Sequence, residues 1–227
     1  MSRSVWSGWR RERGLDGTQV DGLTACAESA ARQRDLSDAS RSDHCHAHAH
    51  KPTHEPKHIG IREDGTADPE SLSVLGWQHA GALAAVFAGP RSNAAPALGA
   101  RPDVIFAAGA GKKKVRIGGK EVEIGSHSRR PVQTVTPLAE TLGLGLVTTY
   151  TKGEEPALVA DAVGRLGTVL TCWQHENIAD IGNLITGNNT TVPQSWPEHQ
   201  YDVIYVFDRV GDAWSFRQFS NGRLFTS

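Results

Sequence analysis

The chain has 227 residues, 38% of them apolar and 22% charged, with a formal net charge of -1 at pH 7. This length and apolar content suit a globular protein that can bury a core, and the near-neutral charge excludes a strongly basic nucleic-acid binder. No run of about 18 apolar residues is present, so no apolar spanning helix and no membrane partner are expected.

The basic start, MSRSVWSGWRRERG, has no apolar core after it and does not read as a secretory signal. Residues 1–50 are rich in Arg, Ser, Asp and Ala, and their apolar residues are isolated. They read as a separate disordered segment, because so little burial cannot offset the entropy of ordering. The segment ends in alternating histidines, His44, His46, His48 and His50, with Cys45 among them and His54 and His58 beyond. In an extended chain these imidazoles share one face, and with a thiolate they can ligate zinc or nickel. Neither CxxC nor HExxH accompanies them, so no dedicated metal site and no cofactor are expected. Cys26, Cys45 and Cys172 are odd in number and scattered. That pattern argues against a disulfide framework and for a reducing, cytoplasmic compartment.

From Ile59 onward the patterning becomes regular. Asp68 to Ser73 reads as a turn leading into a helix, and Trp77 to Phe87 as an Ala-rich helix stopped by Gly89-Pro90. Arg91 to Arg101 reads as a loop and Asp103 to Ala108 as a buried strand. Gly109 to Gly125 is a Gly/Lys insertion whose KVRI and EVEI pieces flank Gly118-Gly119, a hairpin turn. Its Gly111-Lys112 fails the phosphate-loop pattern, because Lys113 stands where Ser or Thr is required. A helix runs from Pro131 to about Leu142, with Ser128 as a candidate cap. Leu146 to Tyr150 is the next strand, and Glu154 to Leu166 the next helix.

Thr168 to Trp173 is a short apolar and β-branched run, the pattern of a buried central strand. Glu176 to Ile185 then takes helical spacing, with Gly187 as its stop. His175 therefore falls at the carboxyl end of a strand, the edge where open α/β sheets bind ligands. Val203 to Asp208 and Trp214 to Phe219 form a terminal hairpin through Gly211-Asp212. Alternating strands and helices predict a three-layer α/β/α sandwich, with a mostly parallel central sheet and an antiparallel C-terminal edge. Residues 51–227 form its domain.

The segments KPTHEPKH, DVIFAA, SRRPVQT and CWQHENI occur in this order. Through them, residues 51–227 resemble the histidine phosphatase superfamily, the phosphoglycerate mutase-like fold. The resemblance implies a small phosphorylated substrate and a histidine that is transiently phosphorylated. It also implies an arginine at a helix start that holds the phosphate, matched by Arg130, and a second histidine after a strand, matched by His175. Neutral imidazole is a good nucleophile near pH 7, and guanidinium offers phosphate a planar fork of donors. A general acid must protonate the leaving oxygen; Glu154, Glu155 and Glu176 are the candidates. Aligning His50-Lys51-Pro52 with the family's Glu-Lys-Pro puts His48 at the nucleophile. It also puts Ala47 where the family has a phosphate-binding arginine, and Ser40 to Cys45 where it has an apolar strand. The expectation is phosphatase ancestry with weak or absent turnover. The alternatives are an inactive anion-binding protein of the same fold and a His-rich metal-binding protein. The oligomeric state is left open.

Overall fold

The computed structural model describes residues 59–88, 101–196, 201 and 203–220. The class is mixed α/β. Helix α1 spans Val74–Ala88 and starts three residues earlier than the apolar spacing predicts. The reason is a cap: Ser73 Oγ accepts the Gly76 N–H at 3.1 Å. Ala80, Leu83, Ala84 and Phe87 are its buried stripe.

Strand β1 is Val104–Ala107. The Gly/Lys insertion is a hairpin of β2, Gly111–Ile117, and β3, Lys120–Ser126. Gly118 and Gly119 turn it with φ of 58° and 81°. Two successive left-handed residues make the tight turn whose twist matches the strands, and glycine adopts it without a Cβ clash. Helix α2 is Arg130–Leu142, with Pro131 in its first turn as expected. Ser128 does not cap it. The capping position is Arg129, which makes no side-chain cap, and the Ser128 N–H instead donates to Ser126 Oγ.

Strand β4 is only Leu146–Val147, shorter than predicted. Beyond it the Tyr150 carbonyl accepts the Gly109 N–H at 2.8 Å. The backbone there follows the loop after β1 rather than β1 itself. Helix α3, Glu155–Val163, stops at Gly164 and leaves Leu166 60% exposed. Strand β5 is Val169–Cys172. A single 3-10 turn, His175–Asn177, leads into α4, Ile178–Thr186, which ends at Gly187 with φ of 70°.

Strands β4, β1 and β5 form a parallel sheet in that order, with Ile105 opposite both Leu146 and Leu170. The central strands are buried on both faces, which explains their continuous apolar runs. Ile105, Ala107, Leu170 and Cys172 pack with α1 and α2, whereas Phe106, Val169 and Trp173 pack with α3 and α4. The C-terminal strands β6, Val203–Val210, and β7, Ala213–Ser220, form the expected hairpin. Among the described residues they pair with each other alone. Val203 to Phe207 nevertheless enter the core shared by α3, α4 and β5. Gly182 lets α4 approach this hairpin: a Cβ there would lie 3.1 Å from Phe207 and 3.0 Å from Val192.

Among the described residues no helix is long and apolar enough to cross a membrane. Residues 1–50, including the histidine tract and His48, lie outside the described residues, as do His54, His58 and all but Arg101 of the predicted loop from Arg91 to Arg101.

Candidate anion-binding site

Two of the three expected site residues, Arg130 and His175, lie among the described residues. Arg130 opens α2 and is half-buried. Its Nε donates to the Ser71 carbonyl at 3.2 Å, and its Nη2 donates to the Pro69 carbonyl. Neutral carbonyls orient the guanidinium without cancelling its charge, so it stays available to an anion.

The loop that supplies these carbonyls is itself fastened at several points. Gln133, one turn along α2 and 1% exposed, accepts the Leu72 N–H at 2.8 Å and donates to Ser71 Oγ at 3.0 Å. The Arg129 N–H donates to the Glu70 carbonyl. Asp68 accepts from Arg62 Nε at 3.0 Å, from Ser71 Oγ at 2.9 Å and from the Glu70 N–H at 3.1 Å. The Arg62 hydrogen bond foremost, then those from Glu70 and Ser71, hold the Asp68 carboxyl at about 2, below its ordinary 3.8. The RPVQT segment therefore contributes twice. Arg130 provides the charge, and Gln133 fixes the loop that aims it.

Burial lowers the Arg130 pKa first of all; Glu70, Asp68, Glu176 and Tyr201 oppose the shift through their charge. Arg130 thus lies within electrostatic reach of Glu176, the neighbour of His175, and of Tyr201. Burial raises the Tyr201 pKa and Arg130 lowers it in part, so the net shift keeps the phenol protonated. His175 is half-buried at the start of the 3-10 turn, its Nδ1 3.9 Å from Glu176 Oε2. Glu176 also lies 3.7 Å from Lys152 Nζ. Lys152 and His175 thus flank one exposed carboxylate whose charge also reaches Arg130, and an entering anion would compete with it.

The three candidate acids separate by environment. Glu155 is 6% exposed, and its Oε1 accepts the Trp173 indole N–H and the Gly153 N–H, both at 3.0 Å. It pins β5 to the start of α3. Glu154 pairs with Lys113 at 2.7 Å and accepts the Thr151 N–H. Only Glu176 lies beside His175. Among the described residues no group of His, Cys, Asp or Glu is arranged to hold a metal ion.

Sequence reasoning missed Gln133, Asp68 and Tyr201, and it also missed Gln174. Gln174 is 5% exposed, and neither atom of its amide has a hydrogen-bond partner; Asn177 Oδ1 is likewise buried and unpartnered. The position of Gln174 before His175 is visible in the sequence, but its burial is not. No family model, curated protein or solved structure matches the chain.

Proposed function

We propose that this chain is a phosphomonoester-binding protein of the histidine phosphatase type, with weak or absent turnover. The observation that carries the reading is the Arg130 guanidinium, held at the start of α2 by two backbone carbonyls and within electrostatic reach of the carboxylate beside His175. A fixed, partly desolvated guanidinium suits a phosphate oxyanion, and a neighbouring imidazole can donate to the same oxygens. The fold that goes with this reading is the three-layer α/β/α sandwich, its mostly parallel sheet edged by the antiparallel hairpin β6–β7. The compartment is the cytoplasm, as the scattered cysteines suggest.

In the family reaction a histidine nitrogen bonds to phosphorus while the ester P–O bond breaks. The leaving oxygen takes a proton from an acid, and water then displaces phosphate from the histidine. By the resemblance, His48 is the nucleophile and Ala47 replaces an arginine. Loss of one preorganised oxyanion donor typically costs on the order of 10²–10³ in rate. Glu176 is the acid best placed to serve, since Glu154 and Glu155 are engaged elsewhere.

Titration with inorganic phosphate and hydrolysis of an aryl phosphate test the reading in the wild type, Arg130→Ala and His175→Ala. Binding by the wild type that weakens at least tenfold in Arg130→Ala is expected, with turnover close to background. Indifference of phosphate binding to both substitutions would sink the proposal.

A further inference from the structure

We propose that Gln174 reads the alcohol portion of the bound ester, so that the site prefers phosphomonoesters carrying a hydroxyl group, such as polyol or sugar phosphates. The inference rests on the phosphate reading of Arg130 and His175.

Gln174 is 5% exposed, and both its Nε2 and its Oε1 are buried without a hydrogen-bond partner. Buried polar groups are almost always paired, and an unpaired amide is costly where Met or Leu would fill the same volume. The local backbone does not use the side chain. Gln174 is extended, with φ of -67° and ψ of 130°, and makes no side-chain cap to the turn that follows. Its carbonyl, not its amide, accepts the Asn177 N–H at 3.0 Å.

The extended backbone continues the alternation of β5, which puts Leu170, Cys172 and Gln174 on one face. Leu170 and Cys172 pack with α1 and α2, so Gln174 lies on the face of the helix that begins with Arg130. Thr171 also has a buried, unpartnered hydroxyl, but it shares the opposite face with Val169 and Trp173. That face holds the core of α3 and α4, away from the helix that Arg130 opens.

The chemistry of the open groups selects the ligand. Gln174 offers a donating NH2 and an accepting carbonyl oxygen, whichever way its amide is turned, and Asn177 adds a further unpartnered oxygen two residues past His175. The phosphate group of an ester dianion only accepts hydrogen bonds and would meet repulsion from the carbonyl oxygens of Gln174 and Asn177. A hydroxyl group both donates and accepts, so it can satisfy Oε1 and Nε2 together. The anion is thereby matched to Arg130 and His175, and a neutral hydroxyl to Gln174.

Calorimetric titration of the full chain with orthophosphate, ethyl phosphate and glycerol 1-phosphate, at one ionic strength, tests this. Glycerol phosphate should bind about tenfold more tightly than ethyl phosphate, the range of one to two neutral hydrogen bonds. Gln174→Met should abolish that preference, keep orthophosphate affinity within about twofold and raise the Tm of the free protein. Equal affinities for the two esters in the wild type, or a preference that survives in Gln174→Met, overturns the assignment and leaves the phosphate site standing. Absence of orthophosphate binding by the wild type overturns both. Should Gln174→Met fail to fold, nitrogen-15 NMR of the wild type decides. The Gln174 side-chain amide resonance should move with glycerol phosphate and not with orthophosphate, and a resonance indifferent to both rejects the proposal.

Discussion

At the scale of single residues, the informative groups are those whose environment contradicts their chemistry. Thr171 is 1% exposed in mid-strand, and its hydroxyl has no partner. Valine has nearly the same shape and no group to desolvate. Thr171→Val should therefore stabilise the protein by about 1 kcal/mol, the lower end of the cost of an unpaired buried polar group. Denaturant unfolding measures this, and a destabilised variant would show that the hydroxyl is paired in solution. Glu176 presents the opposite case, an exposed carboxylate beside a lysine and an imidazole. It lies near Lys152 and His175 and opposes the lowering of the Arg130 pKa. Glu176→Gln removes the charge that competes with an incoming phosphate, so affinity should rise about threefold, a modest gain set by solvent screening. The gain should shrink at high salt. Weaker binding in this variant would mean that Glu176 holds Arg130 in place instead of competing for it.

Among the elements, the anion site depends on one loop lying along the start of α2. Asp68 anchors that loop, and its carboxyl is held at about 2 instead of 3.8, first of all by Arg62. A carboxyl depressed in the folded state contributes stability above its ordinary value and loses it as pH falls through the folded one. Between pH 3.8 and about 2 the loop should therefore loosen, and the carbonyls of Pro69 and Ser71 should release Arg130. Asp68→Asn should flatten the dependence of Tm on pH in that window; an unchanged slope would remove Asp68 from the account. How legible this was in the sequence follows from the physics of each part. Strands β1 and β5 were readable because burial on both faces writes a continuous apolar run, and the β2–β3 turn because two glycines announce it. Arg130 and His175 were singled out by motif and by their place at element boundaries. Gln133, Asp68 and Gln174 were not, because a polar side chain looks the same in sequence whether it binds a backbone group, a guanidinium or nothing. The start of α1 was misplaced for a related reason: Ser73 in its capping role has no apolar period to mark it.

For the whole molecule, the decisive feature is how the parallel sheet and the C-terminal hairpin are each left on one side. Among the described residues β5 pairs only with β1, and β6 only with β7. Yet Val169 to Cys172 and Val203 to Phe207 are all at most 1% exposed, and Val169 shares one core with Val203 to Phe207, α3 and α4. Five consecutive buried residues mean that β6 is covered on both faces, the environment of an interior strand rather than an edge. The resemblance implies one further strand, the first and central one of the sheet. By the resemblance, that strand would deliver the nucleophilic histidine to the carboxyl edge where His175 lies. In this chain the corresponding stretch, Ser40 to His50, is polar and carries Ala47 in place of arginine. By the resemblance, the proposed weak turnover then has two causes, both written in the sequence: Ala47 at the arginine position and a polar stretch where the family has an apolar strand. A displacement of about 1 Å alone can cost roughly 10²-fold in rate. Replacing residues 40–50 with an apolar strand ending in Arg-His-Gly-Glu should repair both. Hydrolysis of an aryl phosphate should then rise by orders of magnitude, and the new histidine should take up acid-labile phosphate. Robust phosphorylation of His48 in the unmodified chain would show that the strand was overvalued. A graft that folds, binds phosphate and gains no turnover would assign Arg130 and His175 to binding alone.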